Sequence, residues 1–234
     1  AVGCIFAIAV VKQLFGGLGC NFANPAITGR VFLLLSFAGD MTTWVKPFYY
    51  HGLSIGNQLS SSAGSLDLDA VTSATPLVTG TESLSNLFLG NVGGCIGETS
   101  ALALLLGGLF LIFTRVISPS TPIAYLGSLG ILTFFHALAT GGSLTEVPYA
   151  LLSGGVMIGA FFMATDYVTT PITTKGKWIF GIGCGILTFV IREFASMPEG
   201  CSFSILLMNL LTPYIDKFTM TKPLGAKPIK QKEE

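Results

Sequence analysis

Long apolar segments follow one another along this chain, and most are cut by glycine or proline. A helix that crosses a bilayer needs roughly 20 mostly apolar residues. Backbone that leaves the helix at membrane depth is tolerated only where it is buried in protein or lines a cavity. Segments that are apolar yet interrupted therefore point to an all-α polytopic membrane protein with short, broken helices. Composition agrees. Hydrophobic residues make up 51% and charged residues 10%, and the mean hydropathy is +0.72, whereas soluble domains carry about 25% charged residues. Twelve Lys and Arg balance twelve Asp and Glu, so there is no basic footprint for nucleic acid.

Helices are expected over about 1–14, 25–38, 98–116, 122–139, 148–164, 178–192 and 202–215. Asn24 and Pro25 are a good N-cap and first helical residue. The chain opens inside an apolar run without Met, which reads as the later part of a longer chain. Residues 40–85 are polar, and too many for a casual connection. Residues 1–216 form the expected membrane domain and residues 217–234 a basic tail. Lys217, Lys222, Lys227, Lys230 and Lys232 place that tail in the cytoplasm by the positive-inside rule. Counting back, Lys175, Lys177 and Arg115 fall inside and the 40–85 loop falls outside. Arg192 is the exception, expected at an outer helix end beside Glu193. Gly19-Cys20-Asn21-Phe22-Ala23 and Gly200-Cys201-Ser202-Phe203-Ser204 each precede a helix, a faint echo of an inverted repeat.

The loop carries Asp69-Ala70-Val71-Thr72-Ser73-Ala74-Thr75-Pro76-Leu77. Pro76 pushes Thr75 toward an extended conformation and holds its hydroxyl away from the backbone. The plain alternative is an ordinary Ser/Thr turn. The five cysteines form no C-x-x-C pair and read as buried packing residues. Acids within membrane segments are functional candidates by default. Asp40, Glu193 and Asp216 lie near expected helix ends, which explains them cheaply. Glu98 and Asp166 lie in Gly- or Thr-rich breaks and are candidates for an ion path. His51 and His136 are expected to pack or sit at interfaces. Trp44, Tyr49 and Tyr50 suit an interfacial aromatic belt, with ring stacking as the alternative for Trp44.

Several stretches carry a resemblance: Lys12-Gln13-Leu14-Phe15-Gly16-Gly17-Leu18-Gly19, then Asn21-Phe22-Ala23-Asn24-Pro25-Ala26-Ile27-Thr28-Gly29-Arg30-Val31-Phe32, the Asp69–Leu77 loop, Gly94-Cys95-Ile96-Gly97-Glu98-Thr99-Ser100, Phe162-Met163-Ala164-Thr165-Asp166, and Pro198-Glu199-Gly200 leading to Leu207–Pro213. Together they resemble the D subunit of the Rnf ion-translocating ferredoxin:NAD oxidoreductase, which is related to the B subunit of sodium-pumping NADH:quinone reductase. The Thr75-Pro76-Leu77 ending and the Pro198-Glu199-Gly200 break favour the Rnf type.

The resemblance implies FMN joined by its phosphate to Thr75, with Asp69, Thr72 and Ser73 in the attachment motif. A flavin transferase working outside the membrane would install it. Ser73 stands where the family usually has Gly, and a Cβ there costs something if the turn needs positive φ; Thr72 and Ser73 are the alternative attachment points. In the sodium-pumping relative an N-x-x-N-P-A stretch serves a non-covalent riboflavin, which maps to Asn21 and Asn24. Read from the residues alone, Asn24 caps a helix and Asn21 satisfies the Gly-rich break. The implied role is an electron relay in a bacterial or archaeal cytoplasmic (inner) membrane complex moving Na+ or H+. No Rossmann fingerprint, Fe–S spacing or nucleophile–base pair is present to bind NAD or ferredoxin. The competing readings are the quinone-reductase B subunit and a non-redox solute channel or transporter.

Overall fold

The structure is a computed structural model that describes residues 1–17, 19–42, 82–95, 97–195 and 200–220, with the backbone alone at 44–45 and 72–73. Asp69, Thr75, His51, most of the 40–85 loop and the basic tail beyond Met220 lie outside the described residues.

Helix α1 (Val2–Gln13) is π-helical from Phe6 onward, with i→i+5 bonds such as Gly17 N–H to Lys12 C=O at 3.0 Å. It stops at Gly16 and Gly17, both at positive φ, which glycine adopts without steric cost. Helix α2 (Pro25–Ser36) starts as expected: the Asn24 Oδ1 accepts from the Ala26 and Ile27 N–H groups. A short α3 (Ala38–Met41) follows. Beyond it, β1 (Trp44–Val45) pairs antiparallel with β2 (Thr72–Ser73), Trp44 opposite Ser73 and Val45 opposite Thr72. This small ladder is the departure from an otherwise helical fold.

The rest is α4 (Leu84–Leu89), α5 (Ala101–Phe113), α6 (Ser120–Thr140), α7 (Glu146–Leu152), α8 (Val156–Met163), α9 (Thr174–Phe194) and α10 (Cys201–Thr219). Among the described residues, only α6 and α9 are single helices long and apolar enough to span a membrane, and α7 and α8 make one apolar pair bent by 63°.

Four expected helix bounds are corrected. The helix expected over 148–164 is two helices, because Ser153, Gly154 and Gly155 interrupt it and Gly154 takes φ 64°. The helix expected from Glu98 starts at Ala101, where the Ser100 Oγ accepts from the Ala103 N–H; Glu98 is committed elsewhere. Residues 84 and 85, read as the end of the polar 40–85 segment, instead open α4, which is capped by Ser83 and ended by Gly90 at φ 101°. The last helix also runs past Asp216 to Thr219.

The core is built from α2, α6, α8, α9 and α10, with Ile27, Tyr125, Ala160, Phe180, Cys184 and Ile205 at its centre. The cysteines divide: Cys184 and Cys201 are buried as expected, but Cys4 and Cys20 are exposed and Cys95 half-buried. The closest approach of two long helices is glycine-made. A Cβ on Gly181 would lie 2.7 Å from the Ala124 Cβ and 2.8 Å from the Thr121 oxygen, and one on Gly185 would lie 2.8 Å from the Tyr125 oxygen. Gly181 and Gly185 are one helical turn apart, so α9 lays a small-xxx-small face against the α6 backbone.

Gly185→Val forces the α6 and α9 backbones apart and is expected to cost about 1–3 kcal/mol or more. Gly127 on α6 meets nothing within 4 Å, so Gly127→Val is expected to be tolerated. Thermal unfolding of both variants in detergent checks this, and equal melting temperatures would refute the packing argument.

Candidate functional site

The two interruptions, 90–100 between α4 and α5 and 153–155 between α7 and α8, meet each other. Helix α4 packs on α7, and α5 packs on α8. A cavity of about 10 Å³ lies between them, lined by Gly93, Gly94, Glu98 and Thr99 on one side and by Leu152 and Gly154 on the other. That is room for about one water.

Glu98 is the centre of this junction, its side chain only 5% exposed. Its Oε1 accepts from the Cys95 N–H at 2.9 Å, closing the Gly-rich turn on itself. Its Oε2 lies 3.5 Å from Arg30 Nη2 of α2 and has no hydrogen-bond partner among the described residues. The Arg30 Nη2 also donates to Cys95 Sγ at 3.1 Å. Gly155 presses in from the second break: a Cβ there would sit 3.2 Å from Glu98 Oε2 and 3.6 Å from Arg30 Nη1. A buried carboxylate without its cation costs about 3–5 kcal/mol, which is why Arg30 and Glu98 must be placed together.

A second arginine serves the second break. Arg192 of α9 turns inward, donating from Nη1 to the Ala150 carbonyl at 2.7 Å and from Nη2 to the Ser153 carbonyl at 3.1 Å. These are terminal carbonyls of α7 that have no intrahelical donor. Arg192 thus reaches back and caps a broken helix. Glu193, beside it, is 3.8 Å from His136 Nε2, and His136 packs edge-on against Phe189.

The Gly155 carbonyl, which accepts from the Gly159 N–H at 2.8 Å, also accepts from Cys201 Sγ at 3.3 Å. Cys201 in turn belongs to a buried hydroxyl cluster. Tyr125 Oη lies 3.1 Å from Cys201 Sγ and 2.7 Å from Thr188 Oγ1, and Thr188 Oγ1 is 2.7 Å from Ser204 Oγ. Gly159 makes the space for this thiol, since a Cβ there would fall 2.2 Å from it.

Asp166 is not part of the junction. Gly155 touches Glu98 at the start of α5 and α8, whereas the Tyr167 hydroxyl donates to the Val116 carbonyl past their far ends. The two helices are therefore parallel, and Glu98 and Asp166 lie at opposite ends of the pair. The Asp166 Oδ2 accepts from the Thr169 hydroxyl at 3.0 Å.

Asn21 and Asn24 lie together in the turn before α2. The Asn21 Nδ2 donates to the Ala23 carbonyl at 3.0 Å, and the Asn24 Oδ1 is used by the helix cap. Asn209 of α10 locks this turn: with its amide oriented by its neighbours, Oδ1 accepts from the Asn24 N–H and Nδ2 donates to the Thr169 carbonyl, each at 3.2 Å. Among the described residues this leaves the Asn21 Oδ1 and the Asn24 Nδ2 without partners, one acceptor and one donor. Phe15 and Phe22 pack edge to face beside them, ring centres 4.7 Å apart. The turn thus retains hydrogen-bonding capacity suited to the edge of a heteroaromatic ring. Thr72 and Ser73 are described only as backbone of β2.

Three roles were not read from sequence. Arg30 carried a signal, a charge in the middle of the apolar run of α2. The pairing of Arg192 with α7 carried none, because Ala150 and Ser153 are about 40 residues away. The role of Asn209 equally depends on a distant partner.

This architecture, with apolar helices broken where charge and backbone meet inside the bundle, defines a multi-pass α-helical membrane protein. A model of the family described as NQR2, RnfD, RnfE matches residues 1–225. The chain belongs to that family. It is 47% identical, over 98% of its length and 67% of the relative's, to the D subunit of the Na(+)-translocating ferredoxin:NAD(+) oxidoreductase complex of Acetobacterium woodii. It is 43% identical, over 97% of its length and 68% of the relative's, to the D subunit of the proton-translocating ferredoxin:NAD(+) oxidoreductase complex of Clostridium ljungdahlii. The D subunit of the ion-translocating oxidoreductase complex of Stutzerimonas stutzeri is 40% identical, over 95% of this chain and 69% of that relative.

Arg192→Met removes both donors to the end of α7 and is expected to cost about 1–3 kcal/mol for each stranded carbonyl. The change is read as a lowered melting temperature of the purified protein. Arg192→Lys, with one compact charge in place of a two-pronged donor, is expected to recover part of the loss.

Proposed function

We propose that this chain is the D-type subunit of an Rnf-type membrane complex that couples electron flow from ferredoxin to NAD+ with translocation of Na+ or H+. The observation that carries the reading is the 47% identity across 98% of the chain to a relative named for that activity. The chain's own part is electron relay. FMN is held covalently through a phosphoester to Thr75, within the motif that begins at Asp69 and includes Thr72 and Ser73. A flavin accepts an electron pair and passes electrons on singly, and the protein positions it. The unpartnered Asn21 Oδ1 and Asn24 Nδ2 support a second, non-covalent flavin, riboflavin, in the turn before α2.

The Thr75 loop is extracytoplasmic and the C-terminus cytoplasmic, in the bacterial or archaeal cytoplasmic (inner) membrane. Lys175, Lys177 and the lysines after α10 support that orientation, and a flavin transferase acting outside fits it. The partners are the other Rnf-type subunits and the surrounding bilayer. Glu98, buried where the two breaks meet, and Asp166, at the far end of α5 and α8, are the acidic groups on the proposed ion path.

Two experiments test this reading. Under ultraviolet light the denatured chain is expected to fluoresce, with an FMN phosphoester mapped to the Thr75 peptide. Thr75→Val is expected to abolish the band, while Thr72→Val and Ser73→Ala keep it. Fluorescence that survives Thr75→Val would move the attachment, and no fluorescence from a host carrying the transferase would favour a flavin-free transporter. Separately, Glu98→Gln and Asp166→Asn are each expected to slow ion uptake by reconstituted complex at least about tenfold, the size of a lost 1.4 kcal/mol of barrier stabilisation. Unchanged uptake in both would remove these acids from the path.

A further inference from the structure

The end of the bundle away from the two breaks holds a second, larger cavity of about 220 Å³. It lies between the segment after α5, the first turn of α6, the segment after α8 and the first turn of α9, and its lining includes Val116, Ser118, Thr121, Tyr167, Ile172 and Lys177. Its chemistry is one-sided. Lys177 supplies a cation and makes no ion pair among the described residues. Thr121 is 2% exposed, yet its hydroxyl makes no hydrogen bond among the described residues. The 21-residue helix α6 begins at this cavity with no side-chain cap, so the Ser120 and Thr121 N–H groups have no intrahelical acceptor and the positive end of the dipole lies there.

The acids nearby are committed elsewhere. Asp166 Oδ2 accepts from Thr169, and Asp216 Oδ1 accepts from the Ile172 N–H at 3.1 Å. A cavity-lining hydroxyl with no partner among the described residues, a lysine and an uncapped helix start together call for an anion with several acceptor oxygens. The rim indicates its source. Tyr167 is 75% exposed and Ile172 79%, and the exposed Trp178 opens the second turn of α9. An apolar rim with Tyr and Trp, at the end of the two helices long enough to span, is what the headgroup level of a bilayer contacts.

We propose that this cavity binds the phosphate of an anionic phospholipid, Lys177 and the start of α6 holding its charge and the Thr121 hydroxyl donating to one of its oxygens. The proposal rests on the chain spanning a membrane and is independent of its redox role. The site fixes the lipid on the Lys-rich face of the protein, where juxtamembrane basic residues meet anionic lipid.

The test uses the assembled complex that contains this chain, placed in nanodiscs of phosphatidylcholine and phosphatidylglycerol, re-extracted, and weighed with its retained lipid by native mass spectrometry. Phosphatidylglycerol is expected to be retained in preference to phosphatidylcholine. Lys177→Gln is expected to lower that retention about fivefold, the effect of one basic residue at an anionic surface. Thr121→Val is expected to lower it as well, and Lys177→Arg to keep it. Lys175→Gln, which removes an exposed neighbour outside the lining, is expected to change nothing and controls for diffuse attraction. Equal retention by wild type and Lys177→Gln, or an equal loss in Lys175→Gln, would overturn the proposal. Inorganic phosphate that stabilises the lipid-free complex only when Lys177 is present, without preferred phosphatidylglycerol, would make the ligand a soluble phosphate and overturn the lipid assignment.

Discussion

Unpaired backbone inside an apolar bundle is the constraint on which the rest of this structure depends. Each stranded carbonyl or N–H at membrane depth costs several kcal/mol, and two helical segments are nonetheless interrupted there. Side chains from other helices meet that cost. Arg192 reaches from α9 to the end of α7, and the Cys201 thiol of α10 adds a second donor to the Gly155 carbonyl, which also accepts from the Gly159 N–H. Glu98 folds the other break onto the Cys95 N–H, and Arg30 of α2 neutralises it. The breaks and the packing of α2, α9 and α10 are therefore one arrangement. Removing Arg192 strands the carbonyls at the end of α7, and removing Arg30 leaves the buried Glu98 carboxylate without its cation.

The same arrangement brings charge to a place that apolar helices would keep empty. The Arg30–Glu98 pair sits where two interruptions touch, with room beside it for about one water. Behind it, the cluster of Tyr125, Thr188, Ser204 and Cys201 gives every hydroxyl a partner among α6, α9 and α10. Fully satisfied buried networks rigidify a core, whereas partly satisfied ones weaken it. Here the satisfied network stands next to a carboxylate oxygen with no hydrogen-bond donor. A satisfied network thus stands beside a buried carboxylate that has one bonded oxygen and one without a donor among the described residues.

Much of the helical layout was legible because its signals are local. Asn24-Pro25 marks the start of α2, and the apolar runs of α6 and α9 mark the long helices. The breaks were harder. Gly181 and Gly185 lie inside an unbroken helix, while Gly154 and Gly155 end one, and in a membrane sequence both pairs read alike. Glycine is tolerated in a membrane helix when a neighbour packs on it, and only the neighbour decides which case applies. Glu98 stands out as an acid in a Gly-rich stretch. Arg30, its counter-ion, is a lone charge in α2, and nothing near it in the chain ties it to Glu98.

Local sequence determined that this chain is helical, apolar and interrupted, and where most helices begin, since caps, prolines and hydropathy act within a few residues. Its motifs determined the family to which it belongs. Tertiary structure alone decided which interruptions face each other, which arginine serves which break, and that Thr121 and Lys177, 56 positions apart in the chain, share a cavity. Those pairings depend on helices that meet through space after long separations in sequence, and short-range propensity carries no information about them.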